Sequence, residues 1–153
     1  MTVLRRSELD LPHFPNEADL EPVVERFLRQ RGYSLVGREV GFYDLRVDLY
    51  GYSPAANQTI AVELKLSRWR RAFVQALQYQ LCADIAYIAL PASVTPRVDA
   101  AMLSEHGLGL LAVTRYACEE ILVPRAKGHM RVIYRDQMIA QLHEAQPDEH
   151  LTA

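Results

Sequence analysis

At 153 residues the chain is long enough for one domain with a real hydrophobic core. It is 50% apolar and 24% charged, a soluble globular balance; no apolar run reaches the length that spans a bilayer, and Met1 to Arg6 lack the apolar stretch of a signal peptide. A cytoplasmic protein without membrane association is expected, and the formal net charge of −2 makes any nucleic-acid role depend on where the charges lie.

Residues 1–15 contain two prolines and no clean period, and read as an arm. Asn16 or Asp19 can cap the helix that follows. Leu20, Val23, Val24, Phe27 and Leu28 repeat at one-sided helical spacing, Pro22 is tolerated in the first turn, and Gly32 is a natural stop. Three strands are predicted next, over 33–40, 45–50 and 60–66. In the second, Leu45, Val47 and Leu49 alternate as one packed set; in the third, Ile60, Val62, Leu64 and Leu66 do so. The turn-rich link 51–58 suggests that these two strands pair antiparallel.

A second amphipathic helix is predicted over 68–82, then a buried strand over 85–90, a third helix over 95–105 ending at Gly107, and another buried strand over 108–113. Strands entered through helices are expected to be parallel. Beyond Cys118, a strand around 121–123 and a helix over 135–145 complete a mixed α/β domain. Cys82 and Cys118 lie far apart with no CxxC pairing, which excludes a zinc site or disulfide framework; Cys82 reads as a core thiol. The five histidines lack HxH or HxxxH spacing, so a histidine metal site is not expected. Asp44 reads as a turn residue, and Ser93 as a loop residue without a nucleophile's context.

The informative fragment is Asp48, then fourteen residues, then Glu63-Leu64-Lys65. If Leu64 faces the packed side, Glu63 and Lys65 share the other face, and an antiparallel neighbour brings Asp48 beside them. Two carboxylates and a lysine gathered on a sheet are unfavourable unless something binds there. Two carboxylates suit Mg²⁺, which takes oxygen ligands, polarises a phosphoryl group and activates water; a lysine beside it stabilises charge developing on the phosphate. The bland alternative is an exposed strand with a Glu–Lys pair. Glu21 borders the buried stripe of the first helix and could reach the same site, with Glu25 further round. On the second helix Trp69, Ala72, Phe73, Ala76 and Leu77 form the packing face, while Arg68, Gln75 and Tyr79 share a polar one. Arg68 there could meet phosphate. Gln75 and Tyr79 are expected to line a cleft rather than the core.

Together these residues resemble the PD-(D/E)XK nuclease superfamily, the fold of restriction endonucleases and Holliday-junction resolvases. Asp48 with Glu63-x-Lys65 matches the core motif, although Val47 stands where proline is usual. Gln75-Ala-Leu-Gln-Tyr79 matches the Gln-x-x-x-Tyr motif of the RecB-like branch, and Glu21 stands at the first-helix acid's distance from Gly32-Tyr33. The resemblance covers roughly residues 19–113. It implies a restriction-endonuclease-like αβββαβ core within a nuclease domain at 16–145, followed by a polar tail at 146–153. It implies catalysis by Asp48, Glu63 and Lys65, metal binding by Asp48, Glu63 and Glu21, and substrate or supporting contacts from Gln75, Tyr79 and Arg68. Mg²⁺ is the expected cofactor, with Mn²⁺ able to substitute. DNA is the expected partner, with RNA open, as are a homodimer and a larger repair or defence complex. The competing expectation is a catalytically silent nucleic-acid-binding or assembly module on the same fold.

Overall fold

The computed structural model describes residues 14–146; most of the predicted arm and tail lie outside them. A 3-10 turn, Glu17–Leu20, leads into α1 (Glu21–Gln30). Asp19 of that turn accepts from the Asn16 amide (3.0 Å), so the predicted capping residues serve the turn rather than α1. Gly32 ends α1 in the left-handed region (φ +97°), as its lack of a Cβ permits.

Six strands form one sheet in chain order: β1 (Leu35–Phe42), β2 (Leu45–Ser53), β3 (Gln58–Leu64), β4 (Ile85–Pro91), β5 (Gly109–Val113) and β6 (Cys118–Leu122). The β1–β2–β3 meander is antiparallel, β3–β4–β5 is parallel, and β6 returns antiparallel. Both parallel links run through helices, α2 (Trp69–Tyr79) after β3 and α3 (Ala100–Glu105) after β4. The second helix is thus shorter than expected, with Cys82 in the turn beyond it. The third is split, because Pro96 sits in a separate 3-10 turn, Thr95–Arg97, and Asp99 caps α3 by accepting from Met102 N–H (3.2 Å). The last helix, α4 (Val132–Ala145), starts earlier than expected. No helix among the described residues is long and apolar enough to cross a membrane.

The sheet separates two cores. On one face Leu20 and α1 residues Val23, Val24, Phe27 and Leu28 cover Leu49, Ile60, Val62 and Leu64. On the other, α2, Leu103 of α3, and Met138 and Leu142 of α4 cover Val47, Tyr50, Ala61, Ile88 and Leu90. β3 keeps the expected alternation. β2 does not: Val47 belongs to the α2 face and Leu49 to the α1 face, although strict alternation puts them together. β1 switches in step, with Leu35 packing on the α2 face before the break and Val40 and Phe42 on that same face after it. Arg38 pairs with Leu49 and Val40 with Val47, so the change falls at Glu39 opposite Asp48. Glu39 has φ +51°, a left-handed residue that rotates the pleat and carries its partner strand with it.

Candidate active site

The break in β2 explains where Asp48 points. β2 and β3 pair from Ser53↔Gln58 to Leu49↔Val62, so one further step sets Asp48 beside Glu63. The strands have parted there, and the Leu64 amide takes the Asp48 carboxylate as acceptor (2.8 Å). A buried amide needs a partner, and this one receives a side chain where a neighbouring strand's carbonyl ends. On its other side β3 remains paired with β4, and Lys65 N–H donates to Ala89 O (3.1 Å) just past the strand end.

Glu63 shares the α2 face with Ala61 and is 2% exposed. Burial, then the neighbouring Asp48 charge, push its carboxyl up to about 8. Asp48 is also raised, by burial first, against the lowering effect of the Leu64 amide. Tyr79 donates to Glu63 Oε2 in a very short contact, and its hydroxyl also lies 3.1 Å from Arg46 O. One phenolic proton cannot serve two acceptors; a protonated Glu63 resolves the conflict by donating in return. Lys65 Nζ stands 3.9 Å from Glu63 Oε1 and 3.8 Å from Glu17 Oε1. Asp48, Glu63 and Lys65 thus come together as expected.

The other expected residues divide. Tyr79 is 1% exposed and packs in the same cluster as Trp69, Ala72 and Phe73, which corrects its placement on a separate cleft-lining face. Its ring is core and only its hydroxyl reaches the Glu63 carboxylate and Arg46 O, the usual division for a buried tyrosine. Gln75, one turn earlier on α2, is half-buried, and its Oε1 has no hydrogen-bond partner among the described residues. Arg68 is exposed just ahead of α2. Glu21 pairs with Arg38 (3.3 Å); its carboxyl is raised, by burial first and also by Asp48, against the lowering effect of Arg38. Glu25 pairs with Arg38 (3.2 Å) and Arg29 (3.4 Å). Among the described residues no group of three or more His, Cys, Asp or Glu is arranged to hold a metal ion, so Glu21 is not gathered with Asp48 and Glu63 as a third ligand. Glu17 was not anticipated, although its spacing of four from Glu21 is the one that stacks side chains on a helical stretch.

Neither a family model nor a curated protein matches the chain. Among solved structures it is similar to the SPO1766 protein of unknown function from Silicibacter pomeroyi, at 23% sequence identity and a TM-score of 0.68, with 87% of each chain covered. At that identity the likeness speaks for the fold alone: a mixed α/β sheet flanked by helices, whose chemistry must be argued from its own residues.

Proposed function

We propose that this chain is a Mg²⁺-dependent nuclease of the PD-(D/E)XK type that hydrolyses phosphodiester bonds in DNA. The observation that carries this reading is the meeting of Asp48, Glu63 and Lys65 where β2 parts from β3. A structural sheet has no use for two adjacent carboxylates there, and Glu63 is held protonated at a cost that a cation would relieve.

The donor set fits a hard cation. Asp48 and Glu63 offer carboxylate oxygens, Gln75 Oε1 on the same helix as Tyr79 is a buried oxygen without a partner, and Mg²⁺ commonly takes only one or two carboxylates and keeps its own waters. Asp48 and Glu63 would hold it; bound there, it supplies Lewis-acid polarisation of the phosphoryl group and a more acidic water. Asp48 is fixed by the Leu64 amide, and Tyr79 fixes Glu63, so neither carboxylate has to be ordered on binding. The Lys65 ammonium stabilises charge building on the phosphate oxygens. In the reaction a water oxygen forms a new P–O bond, the P–O bond to one sugar oxygen breaks, and the products are a phosphomonoester and an alcohol. The water's two protons end on the leaving oxygen and in solvent.

The test is cleavage of single-stranded, double-stranded and branched DNA with Mg²⁺, Mn²⁺ or EDTA, for wild type and Lys65→Ala. Wild type is expected to cut only with metal. Lys65→Ala is expected to lose roughly 100-fold or more in rate while its circular dichroism and DNA affinity stay close to wild type. Should wild type cut none of the panel yet bind DNA as tightly as the variant, the binding-module reading replaces this one.

A further inference from the structure

Lys65 is held between two carboxylates of opposite character. Glu63 is fixed on β3 with its side chain 3% exposed, whereas Glu17 stands on the 3-10 turn ahead of α1 with its side chain 47% exposed. The Lys65 side chain is 20% exposed, and its ammonium is reached from the strand on one side and from the turn on the other. Glu17 makes no other ion pair among the described residues, while Glu21 and Glu25 on the adjoining helix are both taken by Arg38.

We propose that Glu17 is a displaceable counter-ion for Lys65, holding the ammonium where the oxygens of a nucleic-acid phosphate bind, so that substrate entry exchanges one anion for the other. This rests on the nuclease reading for the identity of the incoming anion. An ion pair with a half-exposed, long side chain is weak, because water competes and side-chain freedom is lost. A phosphate oxygen on a partly desolvated ammonium makes a stronger charge-assisted bond, so the exchange runs toward phosphate. Freed by phosphate, the Glu17 carboxylate turns to solvent. The arrangement keeps Lys65 in place without substrate and rejects anions too weak to displace a carboxylate.

The experiment compares wild type, Glu17→Gln, Glu17→Asp and Asp44→Asn. Asp44 is an exposed acid of the β1–β2 turn, and its variant controls for loss of one negative charge. Acetylation of Lys65 by acetic anhydride, read by peptide mass spectrometry, is measured on the free protein and with Mg²⁺ and a hydrolysis-resistant phosphorothioate oligothymidylate; affinity for that oligonucleotide is measured at fixed salt. Glu17→Gln is expected to label faster at Lys65 and to bind roughly threefold or more tighter. Glu17→Asp should fall between Glu17→Gln and wild type, Asp44→Asn should match wild type, and the oligonucleotide should protect Lys65 in all four. Unchanged labelling in Glu17→Gln, weaker binding, no protection, or equal gains in Asp44→Asn each overturn the proposal. If wild type cuts nothing but these shifts appear, Glu17 remains the competitor of phosphate and hydrolysis alone is withdrawn.

Discussion

Two polar clusters lie at opposite ends of β3, and they are built on opposite principles. At the start of the strand, Asp84 accepts from Thr59 N–H (2.7 Å), Thr59 Oγ1 (2.8 Å) and Arg135 Nε (3.1 Å). Arg135 Nη2 also donates to Asn57 O and Oδ1 (both 2.8 Å), and the Asp84 amide donates to Thr59 Oγ1 (2.9 Å). One carboxylate meets one guanidinium, and the network ties α4 to the sheet. At the far end, Glu63 and Glu17 share one ammonium, Asp48 lies beside Glu63 on the Leu64 amide, and Glu63 is pushed to about 8. The balanced cluster stabilises; the unbalanced one holds more acid than base, and under the proposed function a cation and a phosphate would complete it. On that proposal, what remains unmatched is what separates the candidate site from the structural ion pair.

The largest effect should come from breaking the balanced end. Asp84→Ala leaves the Thr59 amide and hydroxyl and the Arg135 Nε–H without their acceptor and the guanidinium without its counter-charge, and is expected to lower unfolding free energy by about 3 kcal/mol. Urea titration reads this as a lower midpoint at unchanged slope, and the proposed cleavage should survive wherever the protein stays folded. A loss below about 1 kcal/mol would remove the contrast between the clusters.

The unbalanced end should respond with the opposite sign. Glu63 has a folded-state value of about 8 against an ordinary 4.5, so between these the folded protein holds a proton that the unfolded chain has released. Stability then falls as pH rises through that window, and below it the group makes no difference. Glu63→Gln should therefore stabilise the metal-free protein by on the order of 2 kcal/mol at pH 8 and by little at pH 4.5, while weakening Mg²⁺ binding. Thermal melts in EDTA at both pH values, and repeated with Mg²⁺, check the reversal. A variant less stable than wild type at pH 8 in EDTA would show that Glu63 is structurally matched after all.

What could be read from the residues follows the same division. Ile60, Val62 and Leu64 announced β3's packed face because their pattern is local, and Glu63 and Lys65 followed from it. The same logic placed Leu45, Val47 and Leu49 on one face, and there it failed, because the switch is imposed by Glu39 on the neighbouring strand. Antiparallel pairing of the two strands and the motif spacing both point to Asp48, while what fixes its carboxylate, the Leu64 amide at the parting of the strands, lies in tertiary geometry. Stacking on Gln75 puts Tyr79 on a polar face, but a tyrosine can bury its ring and still present its hydroxyl. Glu17 pairs with a lysine 48 positions away, a distance over which helical spacing is silent.

The smallest expected effect tests whether the break at Glu39 stores strain that the other end avoids. Both ends carry a residue in the left-handed region, Glu39 (φ +51°) at the site and Asn57 (φ +50°) in the β2–β3 turn. Asn tolerates that conformation, and here its side chain also accepts from Tyr52 (3.3 Å) and Arg135. Glutamate gains no such local bond, and its Cβ meets the following carbonyl at a cost of about 1 kcal/mol. Glu39→Gly and Glu39→Asn should each stabilise by about 0.5 kcal/mol, Gly losing part of its gain to unfolded-state entropy. Glu39→Val, branched at Cβ, should destabilise by about 1–2 kcal/mol. If the site depends on the break, Glu39→Gly should also keep Asp48 on the Leu64 amide and preserve Mg²⁺ affinity, whereas Glu39→Val should weaken metal binding as the strand is driven back toward a regular pleat. Equal stability across all three variants would mean that the left-handed turn follows from packing of Val40 and Val47 against α2 and α4, and that the strain lies elsewhere.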